Sequence, residues 1–270
     1  MDARTLLKRT ASGIVFLAIV VGCLLHPVGV LALACFLAVA LSHEFYRLTT
    51  PRKYRREEVL VMVSMVALIA LLYCCLHSLA PARLIWLGFI PLFAAMFCQL
   101  FDGAREHEFV VEPYFPLVYV LPALLSLQCF SWKLSLGMFV ILWCSDVGAY
   151  CVGMLFGQRP GSRKLFPALS PKKSWMGVLG GTVFAFLSAW VYWALLGDAV
   201  LPLVHWLAMA AIVLLFGIPG DLFESLIKRH AGVKDAGSLI PGHGGLLDRF
   251  DDFLFVAPAV LVYLEAFNLL

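Results

Sequence analysis

The chain has 270 residues, 62% of them hydrophobic and only 14% charged, with a formal net charge of +3. Soluble domains carry about 25% charged residues, so this chain has too little polar surface to face water and must take the bilayer as its solvent. Soluble single-domain classes are thereby excluded, and nucleic acid is not an expected partner.

A spanning helix needs roughly 20 mostly apolar residues. Polar, Pro and Gly breaks divide the apolar runs into nine expected spans. The first, 12–26, follows a basic start (Arg4, Lys8, Arg9) and leads directly into further apolar sequence, which fits an uncleaved helix better than a removed signal peptide. The chain turns at His26-Pro27 into 28–47, then continues through 58–78 and 83–101. A fifth span, 114–129, is short and contains Pro116 and Pro122; 133–156, 175–197, 203–227 and 250–268 complete the set.

Lys and Arg collect in cytoplasmic loops. With a cytoplasmic N-terminus and nine helices, every Lys and Arg except Arg83 and Lys133 falls on one face, whereas an even number of helices would scatter them. The expectation is an all-α polytopic membrane protein whose polar cavity opens at the cytoplasmic interface. Residues 1–270 read as one membrane domain, with N-terminal helices to 130 and catalytic helices and loops from 131. The eight cysteines lie in or beside apolar runs without a CxxC pair and read as small buried hydrophobes. Ser42, His43 and Glu44 read as hydrogen-bonded boundary residues, and the Gly177/Gly181 spacing as a close helix contact.

The segment Gly217–Asp252 differs from everything else, packing acids, bases, a histidine and glycines between two apolar helices. Carboxylates that enter a membrane helix are costly and point to function. Asp221, Ser225 and Lys228, at i, i+4 and i+7, share one helix face, with Glu224 one turn after Asp221; Asp248, Asp251 and Asp252 share a face of the next helix. Oxygen ligands of this kind suit Mg²⁺, which favours carboxylates together with substrate phosphates; a carboxylate–Lys/Arg network is the alternative. Lys228, Arg229, Lys234 and Arg249 can neutralise phosphates, and Gly242, Gly244 and Gly245 around His243 let backbone N–H groups approach an anion.

The run Ser225-x-x-Lys228-Arg229-x4-Lys234-Asp235-x5-Pro241-Gly242-His243-Gly244-Gly245-x-x-Asp248-Arg249-x-Asp251 resembles the signature of the phosphatidate cytidylyltransferase (CDP-diacylglycerol synthase) family. Ser145-Asp146-x-x-Ala149-Tyr150 and Ser170-Pro171-Lys172-Lys173-Ser174-Trp175 resemble two further motifs of that family, with Met176 standing where it usually carries a polar residue. The resemblance implies transfer of CMP from CTP to phosphatidic acid, giving CDP-diacylglycerol and pyrophosphate, with Mg²⁺ required and Asp221 and Asp248 in or next to the metal centre.

On this reading Asp221 and Asp248 bind metal with Asp251 in support, and Asp146, deep in its helix, approaches the metal or orders water near it. Lys172, Lys173, Lys228, Arg229 and Lys234 hold phosphates beside Asp235, Gly242, Gly244, Gly245 and Arg249, while Ser225 bonds a phosphate or water. His243 is either a general acid or a loop donor. Expected partners are CTP, phosphatidic acid and membrane lipids, in a bacterial inner membrane with the site on the cytoplasmic side; a homodimer is compatible with the sequence. The rival outside enzymes is a multi-pass transporter of an anionic lipid or nucleotide, which would spread its ionisable residues near the midplane.

Overall fold

The computed structural model describes residues 3–49, 55–77, 96, 111–239 and 244–270, with side chains from residue 10 onward. The expected span 83–101 apart from Met96, the loop 102–113 up to its last residues, and Gly242 and His243 lie outside the described residues. The chain divides into two compact units: residues 1–129 with 235–249, and residues 130–234 with 250–270.

The first unit holds α1 (Ala3–Leu24), α2 (Pro27–Thr49), α3 (Arg55–Leu76), α4 (Pro116–Tyr119) and α5 (Leu121–Cys129). Leu33, Leu37, Leu41 and Phe45 recur every four residues along α2 and are all buried, the pattern of a helix with one core-facing stripe. Phe45 stacks on Phe115 with ring centroids 5.2 Å apart, and the Tyr46 hydroxyl donates to the Pro113 carbonyl at 2.8 Å. The expected span 114–129 is instead a single turn of 3₁₀ helix, Glu112–Tyr114, followed by the short α4 and α5. Pro122 has no N–H to donate to the preceding turn, so the helix is interrupted at Val120.

The second unit holds α6 (Trp132–Phe156), strands β1 (Lys164–Phe166) and β2 (Ser170–Ser174), α7 (Trp175–Tyr192), α8 (Leu203–Ile212) and α9 (Ile218–His230). The last helix, α10 (Leu247–Ala266), begins in the first unit and belongs to the second from Phe250 onward. Ser131 caps α6 by accepting from the Leu134 N–H at 3.3 Å, and Ser174 caps α7 from Gly177 N–H at 3.1 Å, each satisfying an orphan amide of a first turn. One π-helical turn, Trp193–Gly197, extends α7, and another, Val213–Gly217, joins α8 to α9.

The packing of α6 on α7 rests on small residues. A Cβ at Gly181 would lie 3.2 Å from the Ser145 carbonyl, and one at Gly177 would lie 3.1 Å from that of Ala149, so the two backbones approach as small-residue helix contacts allow. Elsewhere Phe139 stacks on Phe253 at 5.1 Å, and the buried Trp206 donates its indole N–H to the Gly197 carbonyl at 3.2 Å.

Among the described residues, five helices are long and apolar enough to cross a membrane: Pro27–Thr49, Arg55–Leu76, Trp132–Phe156, Trp175–Gly197 and Leu203–His230. Leu179, Val183 and Leu187 form an exposed apolar stripe along α7, a surface suited to lipid rather than water. The protein is mostly helical, as expected of a polytopic membrane chain, but not purely so. The loop expected between 157 and 174 folds into an antiparallel hairpin that pairs Lys164 with Ser174 and Phe166 with Ser170.

Candidate active site

The polar residues of α9 are placed by helix geometry. Asp221, Ser225 and Lys228 recur at one face, and the Ser225 hydroxyl donates to Asp221 Oδ1 at 3.4 Å. Glu224, fully buried, forms an ion pair with Lys228 one turn on. Asp221 pairs with Lys173, which is carried by β2 of the hairpin. Lys172 and Lys173 therefore sit on a strand that runs directly into the N-terminus of α7. The hairpin is tied to the end of α6, where Lys164 Nζ donates to the Gly157 carbonyl at 2.9 Å and the Gln158 amide donates to the Lys172 carbonyl at 2.8 Å.

Asp221, Glu224 and Asp251 each direct a carboxylate oxygen to a common point, all within 4.8 Å of one another. Three carboxylates this close repel, since two unit charges 4 Å apart interact by about 4 kcal/mol at an effective dielectric near 20. The ion pairs to Lys173 and Lys228 offset part of that repulsion. Asp252 adds a buried Oδ1 with no hydrogen-bond partner among the described residues. An all-oxygen donor set of this charge, with a further carboxylate oxygen unsatisfied nearby in sequence, fits a hard divalent cation.

A cavity of about 340 Å³ adjoins these groups. Its lining is mostly apolar, with Met154, Leu165 and Val178 among its side chains and glycines of α6 and α7, and it carries Ser145, Asp146, Lys172, Lys173, Asp221 and Asp252 as polar groups. Asp146 occupies the middle of α6 and is exposed into this space. Acids and lysines set in a mostly apolar recess can accept a polyanion together with a cation.

The sequence pattern of the cytidylyltransferase family matches residues 7–267, nearly the whole chain. The chain belongs to that family. Proteins named phosphatidate cytidylyltransferase are similar to it: one from Bacillus subtilis (strain 168) is 43% identical over 129 residues, covering 48% of this chain and 46% of that protein. One from Staphylococcus aureus (strain COL) is 46% identical over 128 residues, covering 47% and 46%, and one from Staphylococcus saprophyticus is 42% identical over 126, with the same coverage. The matched stretch spans about half the length of these curated relatives.

The cytidylyltransferase signature is divided between the two units. Ser225, Lys228, Arg229 and Lys234 belong to the second, where the Arg229 guanidinium donates to the Val233 carbonyl at 3.0 Å and closes the end of α9. Asp235, Gly244, Gly245, Asp248 and Arg249 belong to the first. There Gly244 adopts φ +86, a conformation that glycine enters without steric cost. Asp248 accepts from the Gly245 N–H at 2.7 Å and from the Ala236 N–H at 3.0 Å. Its carboxylate thus organises the loop, a use that the shared spacing with Asp251 and Asp252 does not reveal. Lys234, Asp235 and Arg249 are exposed.

Glu224 is the site residue that the sequence signalled least clearly. Its place one turn after Asp221 put it at the edge of the polar face, and its complete burial is what identifies it. Asp252 likewise emerges from its position in the cavity wall.

Proposed function

We propose that this cytidylyltransferase transfers CMP from CTP to phosphatidic acid, giving CDP-diacylglycerol and pyrophosphate at the cytoplasmic interface of a bacterial inner membrane. The observation that carries the reading is the convergence of Asp221, Glu224 and Asp251 within 4.8 Å, beside a lysine-bearing cavity, in a chain of this family. A phosphatidate oxygen attacks the α-phosphorus of CTP in line; the new P–O bond forms as the bond to pyrophosphate breaks. The attacking group is already an anion at neutral pH, so no strong general base is required. The difficulty is bringing two anions together, and positioning with charge stabilisation overcomes it.

Asp221, Glu224 and Asp251 would hold Mg²⁺, and the sequence pattern adds Asp146 and Asp248 to these candidates. Bound there, the cation would supply charge neutralisation at the phosphates. The chain's own cations do the rest. Lys172 and Lys173 present ammonium groups from the hairpin, and Lys228, Arg229, Lys234 and Arg249 bind phosphate oxygens, Arg with bidentate geometry. Lys173 and Lys228, already paired with carboxylates, hold the acids in place and can share their charge with a phosphate. Ser225 orients a phosphate or a water beside Asp221. Gly242 and Gly244 would offer backbone N–H groups, Gly245, whose own N–H is held by Asp248, lets the chain pass close to the anion, Asp235 borders that loop, and His243 would act as a loop donor. Pyrophosphate is a good leaving group once neutralised and needs no dedicated acid.

Purified protein in mixed micelles with phosphatidate, CTP and Mg²⁺ is expected to form pyrophosphate and CDP-lipid in equal amounts, and to stop on chelation. A folded wild-type protein that makes neither would remove the reading and leave anionic-lipid or nucleotide transport to be assayed.

A further inference from the structure

Glu44, near the end of α2, is 6% exposed. Its Oε1 accepts from the Leu246 N–H at 3.0 Å and its Oε2 from the Leu247 N–H at 2.7 Å. Those amides lie 202 and 203 residues further along the chain, where the glycine loop of the signature enters α10. The first amides of a helix have no partner within it and carry the positive end of its dipole. A buried carboxylate arriving from another helix satisfies two of them at once.

Two glycines confirm that the pocket is shaped to this carboxylate. A Cβ at Gly237 would stand 2.5 Å from Glu44 Oε1, and one at Gly245 would stand 2.7 Å from Oε2. The post itself is rigid: Leu41, Ser42, Phe45 and Tyr46 on either side of Glu44 are all buried, and Tyr46 is anchored to Pro113. Glu44 therefore fixes the backbone that carries Gly244, Gly245 and Asp248 from the side opposite in sequence to Asp248's own hold on Ala236 and Gly245.

We infer that Glu44 is a positioning residue for nucleotidyl transfer, setting the glycine loop and the first turn of α10 in the conformation that receives the nucleotide's phosphates. The inference rests on the proposed cytidylyltransferase reaction. Glu44→Gln keeps one acceptor but places an amide donor against a backbone N–H. Hydrogen bonds to charged groups are strong enough that losing one changes an equilibrium by about tenfold or more.

The experiment compares wild type, Glu44→Gln, Gly237→Ala and the double variant, each normalised to folded protein. Gly237→Ala leaves the carboxylate intact and displaces it, so it tests the same clasp from the other side. The expected result is a KM for CTP raised about tenfold in either single variant, with a smaller change in kcat, and a double variant no worse than the more impaired single one, as for residues sharing one interaction. A role in folding alone would lower the folded yield and leave KM at its wild-type value; that outcome overturns the inference, and Gly237→Ala decides the matter if Glu44→Gln does not fold. Amide exchange over residues 244–250 reads the clasp without turnover and is expected to quicken about tenfold in Glu44→Gln. Unchanged exchange overturns the inference whatever the activity, whereas a wild-type protein that makes no CDP-lipid overturns the proposed reaction instead.

Discussion

Carboxylates do opposite work in the two units. In the first, Glu44 and Asp248 are bonded to backbone amides: Leu246 and Leu247 for one, Ala236 and Gly245 for the other. In the second, Asp221 and Glu224 are paired with lysine side chains, Lys173 and Lys228. A backbone amide cannot leave without unmaking the loop that carries it, so the first pair holds the loop's architecture. A lysine ammonium has three rotatable donors on a flexible stem and can divide its charge between a carboxylate and a phosphate. Carboxylates held by side chains can thus exchange partners during chemistry more readily than those held by amides.

The sharpest way to break this comparison is to remove a carboxylate from each class. Asp221→Asn or Asp251→Asn is expected to lower kcat by about a thousandfold or more, since charge stabilisation is often the largest catalytic contribution, while circular dichroism remains that of wild type. Activity within tenfold of wild type would remove either residue from the metal site. Asp248→Asn should also abolish turnover, but its Mg²⁺ titration separates two roles. A rightward shift in the Mg²⁺ needed for residual activity marks a ligand, and an unshifted curve marks a loop organiser.

Lys173→Met sharpens the comparison from the cationic side. It is expected to reduce kcat/KM for CTP by about ten- to a hundredfold, the scale of one charged hydrogen bond, with little loss of folded yield because Asp221 keeps solvent contact. Glu224→Gln should differ in kind. Its partner Lys228 has only 12% side-chain exposure, and a buried ion pair broken on one side costs about 3–5 kcal/mol, so thermal stability in detergent should fall together with activity. The smallest effect is expected at Tyr192→Phe. It removes a hydroxyl bonded to the Lys133 carbonyl at 2.6 Å and costs about 1 kcal/mol, with kcat and KM unchanged.

What the sequence made legible was what repeats locally. The spans expected at 133–156 and 175–197 correspond to α6 and to α7 with its π turn, because continuous apolar stretches end at polar or glycine positions on both sides. The polar face of α9 followed from i, i+4, i+7 spacing, and the Glu224–Lys228 ion pair lies within that helix while Asp221 reaches Lys173 on β2. The hairpin carrying Lys172 and Lys173 escaped notice because strands of three and five residues, the first followed by Pro167 and the second containing Pro171, are too short to show alternation. Glu44 read as a boundary residue because its partners lie some two hundred positions away. Asp248, Asp251 and Asp252 looked equivalent by helical spacing, yet Asp248 turns to loop amides while Asp251 joins the acid cluster. Spacing says which residues share a face; only the folded chain says what that face meets.

The π turn at Val213–Gly217 has a consequence for how this chain can vary over evolutionary time. Such a turn accommodates one residue more than α geometry requires, and here Val213, Leu214 and Gly217 contribute to the cavity wall while Leu215 points outward, 68% exposed. Loss of Leu215 would let the turn relax to α geometry while α8 and the Asp221 end of α9 kept their facing. Leu215 is therefore the position next to the cavity at which deletion of one residue is expected to leave Asp221 facing as it does.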